Sequence, residues 1–400
     1  MMVKIAPSVA KGQVSAPFSK SIAHRALLCG ALSAGSTVRG VAESKDMQAT
    51  IGCLRALGAA VEQGGDVVCV GNWDPYATPE NAKLFCDESG STLRFLIPLC
   101  MLSGKPVTLL GSQRLFQRPL GVYEKIAEQQ GILWRQTENS ITVCGKLQSG
   151  AYQVPGDISS QFITGLLYAL PLLEGDSTLE ITGNFESASY VDLTLAVLAE
   201  FGISICRNGR MFHIPGGQKP KARAYTVEAD CSNAAFLDAF NLLGGQVQVD
   251  GIAPDTLQGD RVYQSMYRQL EEGTGQFDLS DCPDLGPVMF ALASVKGGAT
   301  FTGTARLRIK ESDRATVMAE ELKKFGIDVF VEENSVVVKS GELTPPTEPL
   351  SGHNDHRIVM SLALLCSLTG GEIRGAEAVN KSFPDFFEKL RSLQVGVTEL

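Results

Sequence analysis

Six times along the chain an apolar, helix-like run stops at a glycine and an alternating stretch follows. The sites are Gly35 (GSTVRG), Gly104 (GKPVTLLG), Gly175 (GDSTLEITG), Gly244 (GGQVQVDG), Gly297 (GGATFTG) and Gly370 (GGEIRG). Most are separated by roughly 70 residues, and one interval is shorter. After each strand comes a polar stretch, then an amphipathic helix pattern such as DMQATIGCLRALG, RPLGVYEKIAEQQG, YVDLTLAVLAEFG, ATVMAEELKKFG or FPDFFEKLRSLQ. A strand or hairpin such as AAVEQGGDVVCV usually closes the unit. A repeat of this kind is one supersecondary unit that must stack on its neighbours to bury its apolar face. Each unit reads buried helix, strand, surface helix, strands, and six units divide into three plus three. The expected class is α/β, or α+β in some schemes.

The helix before each glycine has a polar head: SKS (Ser19 to Ser21), ESGST (Glu88 to Thr92), SSQ (Ser159 to Gln161), CSN (Cys231 to Asn233), PDLGP (Pro283 to Pro287) and NDHR (Asn354 to Arg357). The bodies, such as FITGLLYALPLL and IVMSLALLCSL, are apolar nearly all round, which marks buried helices. In PFSKSIAHR, Ser21 and Arg25 are four apart and share one helix face. Ser19 or Ser21 can cap the helix, and Lys20 stands beside its free backbone N–H groups. Read alone, SKS fits a capped helix with solvated charges better than an anion site. Six such heads, each carrying about half a positive charge, point to small, multiply charged anions.

The 400 residues suggest two domains. Pro215 to Lys221 (PGGQKPK) has linker composition, and the strand MVKIAP can pair with the second half. The expected domains are residues 13–225, and residues 1–12 with 226–400. Within each, three buried helices would run parallel; facing domains would aim the heads into one interdomain cleft.

The net charge of −9 argues against nucleic acid bound by bulk attraction, so any anion site is a local cluster of cations. The start MMVKIAPSVAKGQV has no apolar leader core, and no apolar run is long enough to span a bilayer. Ten cysteines stand singly without a CxxC pair, which fits reduced thiols in the cytoplasm. The four histidines lack metal-ligand spacing, and no phosphate-loop or dinucleotide fingerprint occurs, so neither metal nor cofactor is expected.

The motifs SKSIAHRALL, ESGSTLRF, QRPL, ISSQFITGLL, Ser187 to Tyr190 before VDLTL, VEADCSNAA, CPDLGPVM, IKESDRA, NDHRIVM and NKSFPDFFEKL stand in an order and spacing that closely resemble the enolpyruvyl transferase family. Within it, the resemblance is to the branch acting on shikimate 3-phosphate. It implies two similar domains, each of three βαβαββ-type units around buried helices, with the active site in the interdomain cleft. It implies transfer of the enolpyruvyl group of phosphoenolpyruvate to the 5-hydroxyl of shikimate 3-phosphate, on the route to chorismate and aromatic amino acids. No metal or cofactor takes part.

For shikimate 3-phosphate the resemblance implies Lys20, Ser21, Arg25, Ser159, Ser160, Gln161, Ser187, Tyr190, Asp284 and Lys310, mainly in the first domain. For phosphoenolpyruvate it implies Lys20, Gly90, Arg118, Gln161, Glu311, Arg314, Arg357 and Lys381, with the catalytic carboxylates mainly in the second. Asp284 is the first choice for the base that takes the hydroxyl proton. Glu311 and Lys20, then His356, are candidates for the proton at C3. Arginine forks suit carboxylate and phosphate. Lys310, Glu311 and Arg314 are expected within one helical turn. Read alone, KESDR is a solvated, self-paired helix start, Asp284 an N-cap, and Lys381 a surface lysine. The herbicide glyphosate is implied to compete with phosphoenolpyruvate beside Gly90.

Four positions depart from the commoner family pattern: Phe18 before SKS, Glu88 and Phe95 around Gly90, and Arg306 where some relatives place Asn against the substrate phosphate. The sister transferase acting on UDP-N-acetylglucosamine typically has a cysteine in the loop that here reads GSQRLFQRPLG. An RNA-end cyclase would need an ATP site and a nucleophilic histidine. A non-catalytic anion binder would not need Asp284 and Glu311. A monomer is expected. Cations in both halves, Lys20, Arg25 and Arg118 in one and Lys310, Arg314, Arg357 and Lys381 in the other, repel without ligand, so an open form is expected to close over the anions.

Overall fold

Four of the six core helices begin where a short polar side chain supplies the acceptor that the helix backbone lacks. The side chains of Ser89, Ser159, Asp230 and Asp355 accept from the backbone N–H of Thr92, Gln161, Asn233 and Arg357, at 3.2, 3.3, 2.8 and 3.0 Å. The other two differ. Ser19 holds the cap position of the first helix without a side-chain bond, and Ser21 lies inside that helix. A Pro283–Leu285 3-10 turn leads into the fifth. The computed structural model, which describes residues 1–273 and 275–400, places these helices at Lys20–Leu32, Gly90–Cys100, Ser160–Ala169, Cys231–Leu242, Gly286–Ala293 and His356–Thr369. Every residue of Gly286–Ala293 is buried, as an all-round apolar sequence requires. The sixth helix ends at Gly370, whose φ of +79° suits a residue without Cβ.

The alternating stretch after each glycine is a strand, and around most of these strands a four-stranded sheet forms by one rule. The strand before the core helix pairs in parallel with the strand after it, and an antiparallel hairpin completes the sheet. In the second repeat Ala82–Phe85 runs parallel to Val107–Leu110, which pairs antiparallel with Ser140–Cys144, which pairs with Leu133–Gln136. Val107, Leu109, Ile141 and Val143 face the core, the period of two that the sequence shows.

Two compact units result. Phe18–Glu228 holds three such sheets. In its first sheet the opening strand is Ala224–Thr226, parallel to Ser36–Arg39, so the end of the unit closes its beginning. Met1–Pro17 with Ala229–Leu400 forms the other unit. There Met2–Ala6 pairs antiparallel with Gly371–Arg374 and Gly396–Glu399, so the first strand completes the sixth repeat. Lys11–Ser15 pairs in parallel with Gln246–Asp250, and this pairing carries the chain to Pro17, past residue 12, before it leaves the unit. Among the described residues the fourth repeat has only this parallel pair. Its surface helix, Tyr263–Glu271, is followed almost at once by Gly275–Asp278, the opening strand of the fifth sheet, leaving no chain for a hairpin. That is the shorter interval of the repeat.

Each unit has its own core. In one, Phe301 stacks on Phe277 at 5.5 Å and meets Phe290 edge-on at 4.8 Å. In the other, Gly165 lets the second and third core helices approach. A Cβ there would stand 2.5 Å from the Arg94 carbonyl oxygen and would strike the Tyr123 hydroxyl. That hydroxyl lies 2.9 Å from the Arg94 carbonyl and 3.0 Å from that of Phe162, so the surface helix Gly121–Gln129 is tied between the two heads.

Candidate functional site

In the unit Phe18–Glu228, Lys20 opens the first core helix and its Nζ donates to Asp46 at 2.7 Å. Asp46 lies in the first turn of Lys45–Ala56, where the helix dipole favours a carboxylate. One turn on, Arg25 is buried. Its Nε donates to Thr194 Oγ1 at 2.9 Å, Nη1 to the Ser21 carbonyl at 2.6 Å and Nη2 to the Tyr190 carbonyl at 2.9 Å. Its guanidinium lies 5.2 Å from the Phe95 ring centre. Ser21, Arg25 and Tyr190 are thus brought together. Ser187 heads the helix Ala188–Glu200 from a left-handed φ of 53°.

Gly90 opens the second core helix between two arginines. A Cβ on it would lie 2.8 Å from Arg118 Nη1 and 2.9 Å from Arg94 Nη1. Arg94 Nη1 donates to Gln161 Oε1 at 3.0 Å, its Nη2 to the Pro119 carbonyl at 3.0 Å, and Gln161 Nε2 donates to Ser91 Oγ at 3.1 Å. One glutamine therefore ties the head of the third core helix, where Ser159 is the cap and Ser160 the first residue, to the head of the second. Arg94 was not among the expected site residues. Its signal was present in ESGSTLRF, since a charge inside an apolar helix needs a partner.

In the unit Met1–Pro17 with Ala229–Leu400, Asp284 sits in the 3-10 turn before the fifth core helix. It does not cap that helix. Its carboxylate receives Lys310 Nζ at 3.2 Å, Arg314 Nη1 at 2.8 Å and Arg357 Nη2 at 2.9 Å. Glu311 meets Arg314 Nη2 at 2.7 Å. Asp355, fully buried, takes Arg314 Nε at 2.8 Å and the Ser312 hydroxyl at 3.0 Å while capping the helix that bears Arg357. Asp284, Lys310, Glu311, Arg314 and Arg357 thus form one cluster. Lys381 is buried rather than on the surface and donates to the Asn354 carbonyl, beside the same helix head. His356 is buried there too, its Nδ1 3.8 Å from Asp355 Oδ1, too far for a hydrogen bond.

One expectation needs correction. The helix after IKES starts at Arg314, because Asp313 caps it by accepting from Thr316 N–H at 3.2 Å. Lys310 and Glu311 therefore precede the helix; Glu311 still pairs with Arg314, but that arginine is buried rather than solvated. Within each unit the cations lie against carboxylates: Lys20 faces Asp46, and Lys310, Arg314 and Arg357 face Asp284, with Glu311 and Asp355 adding to Arg314.

This pairing sets the proton affinities. Burial pushes Asp284 up, but Arg357, Lys310 and Arg314 together outweigh it and hold the carboxyl well below its usual range. Burial lowers Lys310, Asp284 opposes, Arg306 and Arg314 push down again, and the amine settles at about 8. Burial raises Asp260, with Asp284 adding and Arg357 opposing, to about 6; the Ser232 hydroxyl donates to it. The Lys310 ammonium and the Asp284 carboxylate, 3.2 Å apart, therefore stand as an ion pair, and the surrounding guanidinium forks can take phosphate or carboxylate. Among the described residues no helix is long and apolar enough to cross a membrane, and no group of three or more His, Cys, Asp or Glu is placed to hold a metal ion.

Known proteins resemble this chain over nearly its whole length. The family profile described as EPSP synthase (3-phosphoshikimate 1-carboxyvinyltransferase) matches residues 5–390. The chain is 42% identical to the 3-phosphoshikimate 1-carboxyvinyltransferase of Clostridium kluyveri, over 99% of this chain and 98% of that one. It is 39% identical to that of Clostridium novyi, over 97% of each. The fold matches that of the EPSP synthase from Acinetobacter baumannii, with a TM-score of 0.76 at 23% identity over the whole of both chains. With motif order, sheet topology and whole-length similarity in agreement, the chain belongs to the EPSP synthase (3-phosphoshikimate 1-carboxyvinyltransferase) family.

Proposed function

We infer that this chain transfers the enolpyruvyl group of phosphoenolpyruvate to the 5-hydroxyl of shikimate 3-phosphate. The hydroxyl oxygen bonds to C2 of phosphoenolpyruvate as C3 gains a proton. The resulting tetrahedral adduct then loses inorganic phosphate from C2 and a proton from C3, which restores the double bond. The observation that carries this reading is the Asp284 cluster. A protein that only bound anions would need its cations but not three carboxylates among them.

Shikimate 3-phosphate is held by Lys20, Ser21, Arg25, Ser159, Ser160, Gln161, Ser187, Tyr190, Asp284 and Lys310. Phosphoenolpyruvate is held by Lys20, Gly90, Arg118, Gln161, Glu311, Arg314, Arg357 and Lys381. Arg94 supports the latter set through Gly90 and Gln161. Asp284 is the base, acting with Lys310 as one pair. While three cations hold it, its carboxylate is a poor acceptor. As Arg314 and Arg357 turn to the carboxylate and phosphate of phosphoenolpyruvate, Asp284 regains basicity where the hydroxyl proton must go. Glu311 and Lys20 handle the proton at C3. The enzyme works as a monomer in the cytoplasm, a location supported by ten free thiols, most of them buried.

The test is to incubate the protein with shikimate 3-phosphate and phosphoenolpyruvate and follow phosphate release. Release that depends on both substrates is expected. Release only with UDP-N-acetylglucosamine as acceptor, or none with either, would refute the reading.

A further inference from the structure

His24 has no part in the reaction as described, yet it stands where three elements of the substrate site meet. It lies one turn after Lys20 on the first core helix, is almost fully buried, and meets the Phe95 ring edge-on at 6.4 Å. Its Nδ1 is 2.8 Å from Thr50 Oγ1 on Lys45–Ala56. That hydroxyl is 2.6 Å from Thr92 Oγ1, which donates to Ser89 Oγ at 2.7 Å. Ser89 caps the second core helix, whose first residue is Gly90. Thr50 also touches the Asp46 carbonyl at 3.3 Å, and the Asp46 carboxylate holds Lys20. The other ring nitrogen, Nε2, is buried without a hydrogen-bond partner.

A buried polar chain of this kind fixes distances. Each hydroxyl has one proton to give, so the order of donors is linked from end to end. Removing one member leaves its neighbour buried and unsatisfied, and the helices that carry them settle elsewhere. The helices tied here carry Lys20 at one end and the Ser89–Gly90 turn at the other.

We propose that His24 is a positioning residue for phosphoenolpyruvate, which through Thr50, Thr92 and Ser89 sets the separation of Lys20 from Gly90 and its flanking arginines. The inference rests on the enolpyruvyl transfer reading above. Because Thr92 gives its proton to Ser89, Thr50 gives its own to Thr92 and the ring donates from Nδ1. The charged groups facing it are Lys20 and Arg25 on its own helix and Asp46 on the neighbouring one; the second core helix presents Thr92 and Phe95. Burial, reinforced by Lys20 and Arg25, keeps the ring from taking a second proton. The shikimate-phosphate contacts around Arg25 and Tyr190 stand apart from the chain, tied instead through Thr194. Lys20 serves both substrates, so loss of His24 should weaken phosphoenolpyruvate much more than shikimate 3-phosphate.

The experiment is steady-state phosphate release with both substrates varied, on wild type, His24→Leu, His24→Asn and Thr50→Val, with melting temperatures alongside. Asn places an amide atom near the position of Nδ1 and can keep the bond to Thr50; Leu fills space only. For His24→Leu and Thr50→Val the KM for phosphoenolpyruvate should rise roughly tenfold, as small misplacements of a binding group do. The KM for shikimate 3-phosphate should stay within about twofold, and His24→Asn should restore the phosphoenolpyruvate KM even where its melting temperature stays low. If His24→Leu does not fold, Thr50→Val carries the test. An unchanged phosphoenolpyruvate KM, equal change for both substrates in step with lost stability, or no rescue by Asn would overturn the assignment. Wild type that releases no phosphate would overturn the functional reading and this inference with it; an active wild type with unmoved variants overturns only the latter.

Discussion

Gly90→Ala tests the proposed phosphoenolpyruvate site. The added Cβ would stand 2.8 Å from Arg118 Nη1 and 2.9 Å from Arg94 Nη1, so both guanidiniums must retreat by about half an ångström or more to reach ordinary contact. Arginine ends usually yield cheaply, but Arg94 is held by Gln161 and Pro119 at 3.0 Å each, and both arginines are buried. Overpacking of this kind costs about 1–3 kcal/mol. At about 1.4 kcal/mol per factor of ten, the KM for phosphoenolpyruvate should rise by roughly 5- to 150-fold. Glyphosate is longer than phosphoenolpyruvate and has less slack, so its inhibition constant should rise further. Phe95 packs into the core against His24 and Tyr168, so it leaves Gly90 in place and wild type should be inhibited. Measuring the glyphosate inhibition constant and the phosphoenolpyruvate KM for both proteins decides the matter. A ratio that the mutation leaves unchanged would refute the placing of Gly90 against the ligand.

Asp284→Asn should lower kcat by roughly 100-fold through loss of the base. It should leave the KM for phosphoenolpyruvate equal or lower, because Lys310, Arg314 and Arg357 lose an internal competitor; turnover within a few-fold of wild type removes Asp284 from the role. Lys310, at about 8, should lose its charge above that pH and with it affinity for shikimate 3-phosphate; Lys310→Arg should abolish this alkaline rise in KM, and a rise that persists in the variant points to another group. His24 gives an acid limb to stability. Its folded pKa lies below the unfolded 6.5, so as the pH falls through 6.5 the unfolded chain takes up a proton that the folded one refuses, and stability drops. Melting curves between about pH 5 and 7 should show this fall in wild type and a flatter profile in His24→Asn; parallel profiles would mean that other groups set the limb.

The repeat was legible because its signals are local. Period-two strands after Gly104 or Gly297, and helices apolar on every face, need no knowledge of partners. The fourth repeat also shows in the sequence, as a short interval, once the missing hairpin is recognised. What the sequence did not disclose was pairing across distance. Asp46 is 26 residues from Lys20, and Asp355 is 41 from Arg314. Neither carboxylate was assigned a part, although both stood in or beside quoted motifs. The KESD segment failed for a related reason: Glu311, Ser312 and Asp313 are all plausible helix starts by propensity, and only the folded chain shows that Asp313 takes the cap while Ser312 turns to Asp355.

Those hidden carboxylates bear on how an acidic chain can take two anionic substrates. Left alone, Lys310, Arg314 and Arg357 would be costly to bury together, and burial would drive protons off the lysine. Asp284, Glu311 and Asp355 hold three charges against those three, so the unliganded cluster is close to neutral. An incoming phosphate or carboxylate must then compete with an internal partner and wins only if its oxygens match the forks better. Asp355 is the partner least easily displaced, being fully buried and bonded to both Arg314 and the sixth core helix. Asp284, in the middle of the turn Pro283–Leu285 and partly exposed, is easier to release. On this reading the group set free by binding is the same group that must take the hydroxyl proton, so basicity appears where and when the second substrate has arrived.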